Sequence, residues 1–270
     1  MKKVIALVLA ALMVFALVAC GTSKDDPSTS ASDASSASDA AEKKTLVMAT
    51  NATFPPYEYK DGDNFAGIDV EIAGKIAEKL GMTLEIKDVE FGSIVGGVQT
   101  GKFDIGMAGM TVTEERKESV NFTDSYTTTK QVVIVKEDSA IKAISDLKGD
   151  GSMKFGVQQD TTGDILASDT VENGGYGEEN VIRYKAATDT VQALKTGKVD
   201  AVIIDEAPAR SFVKTTEGLK ILDGTWLEEN YAIAIAKDNT ELLNKVNTAL
   251  KELIADGTVK SIIDKYIPAE

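Results

Sequence analysis

Thr100-Gly101-Lys102-Phe103-Asp104-Ile105-Gly106 recurs as Thr196-Gly197-Lys198-Val199-Asp200-Ala201-Val202. Each copy follows an apolar stretch at helical spacing and leads into a short apolar strand. The first strand ends near Gly109 and Thr111, the second at Asp205 and Glu206. A chance match of so short a string is the alternative, but the shared helix–turn–strand context favours two α/β lobes of similar build. Ligands of open α/β sheets lie beyond the carboxyl ends of the strands, so two such lobes facing each other present those ends to one cleft.

The chain leading to the first copy supports this. Residues 45–51 form an apolar first strand, and residues 52–63 a loop with Phe54, Pro55, Pro56, Tyr57 and Tyr59. Ile72, Ile76 and Leu80 with Ala73 and Ala77 make one helical stripe over 70–80, and Gly81 suits the position just past its end. A strand over 83–87, a turn at Glu90-Phe91-Gly92 and a helix over 93–100 follow. That order implies a sheet with largely parallel strands.

Beyond the copy comes Ala108-Gly109-Met110-Thr111-Val112-Thr113-Glu114-Glu115-Arg116. A strand ends in a small-residue turn and a helix starts, where unpaired N–H groups favour anions. Thr111 and Thr113 add hydroxyls, and Arg116 adds a guanidinium able to hold a carboxylate through two parallel hydrogen bonds. The alternative is a threonine serving as a plain N-cap with Arg116 on a solvated face. Residues 117–122 read as a helical turn running back to the surface. In the second half, a strand over 154–158 runs into Gln159-Asp160-Thr161-Thr162-Gly163-Asp164, another turn of the same kind, with capping by Thr161 or Thr162 again the alternative. Residues 130–136 form a strand able to pass between lobes. A short helix starts at Ser145, and residues 231–236 form a return strand. An amphipathic helix through Leu242, Val246, Leu250 and Leu253 closes at Gly257, and a last helix runs to Tyr266 before Pro268.

The ends and the composition narrow the function. Lys2 and Lys3 precede an apolar run over 4–18 that is short for a membrane span and reads as a signal peptide over 1–19. Leu17-Val18-Ala19-Cys20-Gly21 resembles the bacterial lipoprotein signal, in which the Cys is acylated and becomes the new N-terminus. Residues 20–42 then form an acylated Cys20 with a Ser-, Ala- and Asp-rich disordered tether. Without residues 1–19 the chain carries 27 basic against 43 acidic side chains, a net charge of −16, which argues against nucleic acid or anionic lipid as partner. The sequence holds no histidine and one cysteine. Triads that use His, zinc sites that use His, and thiolate clusters are therefore excluded; no metal, cofactor or catalytic residue is expected.

Taken together, residues 49–59, Gly67-Ile68-Asp69-Val70, Ala108 to Arg116, Asn121-Phe122-Thr123-Asp124 and Ala201-Val202-Ile203-Ile204-Asp205 closely resemble the family 3 solute-binding proteins, the polar amino-acid receptors of ABC importers. The resemblance spans about residues 43–270. It implies a two-lobed α/β fold, periplasmic-binding-protein-like of type II, with two crossing hinge strands. Lobe 1 would comprise 43–126 plus 232–270 and lobe 2 would comprise 131–226, with hinges near 126–130 and 227–231. Carried over residue by residue, the carboxylate grip falls on Arg116, Thr111 and Thr162. Gly109 would offer its carbonyl to the ligand ammonium and Asp205 the countercharge, while Phe54 and Phe91 match the aromatic walls. Asn51 stands where other members hold an acid, and Gln158 occupies a position that varies with ligand.

The resemblance implies a substrate-binding lipoprotein, a monomer anchored by lipid to the bacterial cell membrane on its extracytoplasmic side. It would capture a free amino acid and deliver it to ABC transporter permease subunits by lobe closure, with no bond made or broken. A zwitterion needs a cation at one end and an anion at the other, and closure brings Arg116 and Asp205 together for that purpose. The alternative is a cyclohexadienyl (prephenate or arogenate) dehydratase on the same fold, for which Glu58 or Glu206 would have to serve as the acid. The acidic chain and Asn51, Thr53 and Gln158 near the site suggest a neutral-polar or basic ligand over an acidic one.

Overall fold

The strands sort into two principal sheets of matching layout. The structure, a computed structural model, describes residues 44–268 apart from Thr225. The expected signal peptide, Cys20 and tether lie outside the described residues. One sheet runs, in spatial order, Thr83–Asp88, Thr45–Thr50, Ile105–Gly106, Ala234–Ala236 and Val120–Phe122. The other runs Val181–Tyr184, Phe155–Gln158, Ala201–Asp205, Thr127–Lys136 and Leu219–Ile221. In each the first three strands are parallel and the last two antiparallel to their neighbours. The fold is thus a mixed α/β arrangement of two sheet-containing lobes, parallel at the centre and antiparallel at one side.

The repeated heptapeptide does the same work in both lobes. Each copy follows a helix, Ser93–Gln99 or Ala187–Lys195, and stops it at a glycine with positive φ (72° at Gly101, 75° at Gly197). The closing hydrogen bonds correspond one for one: Gly101 N–H to Val98 and Lys102 N–H to Gly97, against Gly197 N–H to Leu194 and Lys198 N–H to Ala193. That is the pattern of a left-handed helix cap. The invariant aspartate of the unit then braces the neighbouring strand. Asp104 accepts from Val47 N–H at 2.7 Å and Asp200 from Lys154 N–H at 2.8 Å. In both lobes the strand that follows holds the third place in the sheet.

Helix Ile68–Lys79 buries Ile72, Ala73, Ile76 and Ala77 against the first sheet, and Leu80 is half-buried beside them. Full burial of an isoleucine there contributes about 1.5–3 kcal/mol. Thr240–Ala255 and Thr258–Tyr266 complete that layer through Val246, Leu250, Leu253, Val259 and Ile262. Among the described residues no helix is long and apolar enough to cross a membrane.

Three expected elements differ. The expected loop over 52–63 holds strands Thr53–Phe54 and Glu58–Asp61, which with Asn64–Ala66 form a small antiparallel sheet. Residues 117–122 are not one helical turn: helix Glu114–Ser119 gives way to strand Val120–Phe122, whose register pairs Val120 with Ala236 and Phe122 with Ala234. A free sheet edge outweighs the weak helical preference of a Val-Asn-Phe run. The return strand over 231–236 is two strands. Glu228–Tyr231 pairs with Thr127–Lys136, whereas Ala234–Ala236 lies in the other sheet. Between them Ala232 N–H reaches Met110 O, and Ile233 O accepts from Thr123 N–H, so the chain leaves one ladder to enter the next.

Candidate functional site

The two turns singled out by their threonines share one plan. Thr113 caps helix Glu114–Ser119, its hydroxyl accepting from Arg116 N–H at 3.1 Å. Thr161 caps helix Thr162–Ser168, accepting from Asp164 N–H at 3.3 Å. Capping is therefore carried by Thr113 and Thr161, and Thr111 and Thr162 are left to face inward. Threonine capping is thus realised at both turns, but Arg116 is buried rather than on a solvated face.

A narrow cavity lies where the two lobes meet, lined by Asn51, Phe54, Glu58, Phe91, Ala108, Gly109, Thr111, Arg116, Gln158, Thr161, Thr162 and Asp205. All nine residues expected at a ligand site are among them. Asn51, Phe54, Phe91, Thr111, Arg116, Gln158, Thr162 and Asp205 are each only 7–8 % exposed, so a molecule held there is almost wholly desolvated.

Arg116 is fixed at the entrance of its own helix. One terminal nitrogen donates to Thr111 O at 2.7 Å and the other to Asp160 O at 3.0 Å, with the guanidinium 5.1 Å over the Phe91 ring. Burial pulls its pKa down while Glu229 and Asp205 hold it up; a guanidinium stays charged throughout. Two of its five N–H donors are thus spent on backbone carbonyls, and the rest are free of such bonds.

Gly109 has φ 52°, and a Cβ there would come within 2.9 Å of Phe54 and 3.1 Å of Tyr231. Glycine is required both by the left-handed backbone and by this close approach. Its N–H donates to the buried Asp69 carboxylate at 2.8 Å, whose other oxygen accepts from Tyr126 O–H. Asn51 and Gln158 meet across the lobes, Gln158 Nε2 donating to Asn51 Oδ1 at 3.0 Å, while Asn51 Nδ2 donates to Val89 O.

Acidic groups dominate the electrostatics. Burial, then the neighbouring Glu229, push Asp205 up to about 7 against hydrogen bonding from Tyr231, Gln131 and Thr129. Burial raises Asp69 to about 6 despite its bonds from Gly109 and Tyr126. Burial, with Asp69 beside it, raises Glu58 well above the carboxylate range. Both Glu58 carboxyl oxygens and Asp205 Oδ1 are buried without a hydrogen-bond partner. Buried acceptors are ordinarily satisfied, so these mark where donors are wanted.

Of the two acids considered for a dehydratase, Glu206 is tied to Lys130 and Arg210 and does not line the cavity, whereas Glu58 does. The sequence offers Glu58 only as a candidate acid for the dehydratase alternative, not as a ligand-binding residue, and gives no role to Gln131 or Glu229. Gln131 Nε2 reaches Asp205 at 3.0 Å and Glu229 at 3.1 Å. Tyr57 and Glu58 are buried and Tyr59 is half-buried, a pattern that strand alternation does not give and that local sequence does not signal.

Comparison with known proteins adds an independent line. The model of the bacterial extracellular solute-binding proteins, family 3, matches residues 46–269. The arginine-binding extracellular protein ArtP of Bacillus subtilis is 36 % identical over 274 residues, covering 100 % of both chains. A solved ancestral arginine-binding protein bound to arginine is 40 % identical with a TM-score of 0.76, covering 83 % of this chain and 98 % of that one. A solved ancestral amino acid-binding protein, a precursor of cyclohexadienyl dehydratase, is 32 % identical with a TM-score of 0.75, covering 83 % and 95 %.

Proposed function

The chain belongs to the bacterial extracellular solute-binding proteins of family 3, and from that premise we propose that it is the substrate-binding receptor of an ABC transporter for an α-amino acid with a cationic side chain. The observation that carries the choice of ligand is the pair of buried acids at the cavity, Glu58 and Asp205: neither Glu58 oxygen nor Asp205 Oδ1 makes a hydrogen bond, and no cation of the protein pairs with Glu58 among the described residues. Set against the single Arg116, they leave the cavity one negative charge in excess when ionised. An arginine-like ligand supplies the complement: one carboxylate for Arg116, an α-ammonium for Asp205 and a side-chain cation for Glu58. Phe54 and Phe91 flank the aliphatic stem, Gly109 offers its carbonyl to the ammonium, and Thr111 and Thr162 complete the two walls. Asn51 and Gln158 bound the far side through their mutual hydrogen bond. The relatives that bind arginine support this choice over a neutral ligand.

Delivery follows from closure. Lobe 1 comprises 43–126 and 232–270, lobe 2 comprises 131–226, and the chain crosses near 126–130 and 227–231; the exchange of antiparallel strands between the sheets supports that partition. Ligand favours the closed arrangement because only there do Arg116 and Asp205 act on it together. Residues 1–19 direct export, Cys20 carries the lipid, and residues 20–42 tether a monomer outside the cytoplasm at the membrane that holds the permease. Binding requires no chemistry at Glu58, and the named relatives are binding proteins.

Calorimetry of Glu58→Gln tests the ligand assignment. Arginine affinity falls by about a hundredfold, as expected when a buried ion pair loses one partner, while glutamine affinity changes far less. Unchanged arginine affinity, or a best ligand that is neutral or acidic in a screen of the twenty amino acids, would overturn it.

A further inference from the structure

Glu229 does not line the cavity, yet two of the cavity's three threonines, Thr111 and Thr162, end on it. Its Oε2 accepts from Thr111 Oγ1 at 3.0 Å, from Thr162 Oγ1 at 3.0 Å and from Gln131 Nε2 at 3.1 Å. Thr111 belongs to the lobe of the first sheet, and Thr162 opens a helix of the other. Glu229 itself sits on Glu228–Tyr231, the strand that pairs with Thr127–Lys136 where the chain passes between the sheets, with Glu229 opposite Thr129. It is 3 % exposed, and its other oxygen is buried without a partner. One carboxylate oxygen on the crossing ribbon is therefore bonded to both lobes at once, through protein atoms alone.

We propose that Glu229 is a positioning residue for closure: it ties the ligand-facing threonines of the two lobes to one atom of the hinge and fixes where their hydroxyl protons point. A carboxylate only accepts, so each threonine spends its single proton on Glu229 and turns its lone pairs elsewhere. Two consequences follow. Thr111 is bridged to Tyr231 on the strand of Glu229, whereas Thr162 reaches Oε2 only when its lobe is drawn in, so the complete set of bonds biases the protein towards closure whatever lies in the cavity, and a larger competent fraction raises apparent affinity. The threonine hydroxyls also present acceptors to a ligand, which suits them to N–H groups and leaves the ligand carboxylate to Arg116.

The inference rests on the lobe closure proposed above, but its test reads the protein with no amino acid added. The sole tryptophan, Trp226, reports the hinge: its N–H donates to Gln131 O at 3.0 Å and its ring leans on Tyr176 at 5.3 Å. Protein freed of bound amino acid by unfolding and refolding is compared with Glu229→Ala by small-angle scattering and Trp226 emission. The variant shows a larger radius of gyration and a shifted emission, and arginine leaves it about tenfold faster with little change in association rate. Thr162→Val, nearly isosteric, removes the Thr162 bonds to Glu229 and Gln131 while leaving that of Thr111, and moves both readouts in the same direction, so the test stands even if Glu229→Ala folds poorly. A radius of gyration unchanged from wild type in the folded variants overturns the proposal, including where affinity alone has fallen, since that is what loss of ordinary packing gives. Failure of every amino acid to bind would sink the receptor reading while leaving the scattering comparison to decide on Glu229.

Discussion

Asp205 is the residue through which solution pH acts on this cavity. Its carboxyl is pushed up to about 7 by burial and then Glu229, and Asp69 stands at about 6, against roughly 3.9 for an unfolded aspartate. Between those values the folded chain binds more protons than the unfolded one, so the stability these groups give is complete below about pH 4 and is lost as pH rises through 6 and 7. Glu58, also raised, has the same sign. Without ligand, the melting temperature falls by on the order of 5 °C between pH 5 and 7.5, and Asp205→Asn reduces that slope by the share Asp205 contributes, leaving those of Asp69 and Glu58. A melting temperature that is flat or climbs over the interval would contradict the assignment. A cationic ligand restores the lost stability, so the thermal shift from arginine is larger at pH 7.5 than at pH 5. The identity of the cavity residues was legible in the sequence, but their charge states were not. They depend on burial and on neighbours as remote in sequence as Asp205 and Glu229.

At the scale of elements, the repeated Thr-Gly-Lys-x-Asp unit was the most legible feature because its physics is local. A glycine free to take positive φ ends the helix, and an aspartate close behind it braces the next strand over. The two aspartates differ in burial, which separates their costs. Val47 N–H with Asp104 is partly buried, whereas Lys154 N–H with Asp200 is exposed. Asp104→Ala is expected to cost about 1–3 kcal/mol by stranding a buried donor, and Asp200→Ala less than about 1 kcal/mol because water replaces it. Equal losses of stability in urea unfolding would refute the argument. The elements that were misread are those decided by distant partners. Val120–Phe122 is a strand because Ala234–Ala236 offers it an edge, and the run over 231–236 divides because its halves find different sheets.

Across the whole molecule, helix Ala187–Lys195 packs against Thr53–Phe54, and several polar contacts besides Glu229 join the lobes. Arg116 reaches Asp160 O, Gln158 reaches Asn51, and Lys185 pairs with Glu90 at 2.6 Å. The last is exposed and contributes little. Gly92 packs so closely on the Asp160 side chain that a Cβ would run into its carboxylate. The Gly92 backbone is ordinary, φ −60°, so a larger residue there strains closure rather than the lobe. Gly92→Leu should weaken arginine binding about tenfold or more while leaving the ligand-free melting temperature nearly unchanged; binding equal to wild type would show that the lobes need not come so near. The sequence by itself determined the two α/β lobes, the family and nine of the twelve residues that line the cavity, because helix periodicity, glycine turns and strand ends are encoded within a few residues of one another. Only the tertiary structure decided that Thr113 and Thr161 cap while Thr111 and Thr162 face inward, and that Glu229 rather than Glu228 turns into the molecule. Adjacent strand residues point to opposite faces, and which face is inside is set by the register with Thr129 on a strand from the other half of the chain.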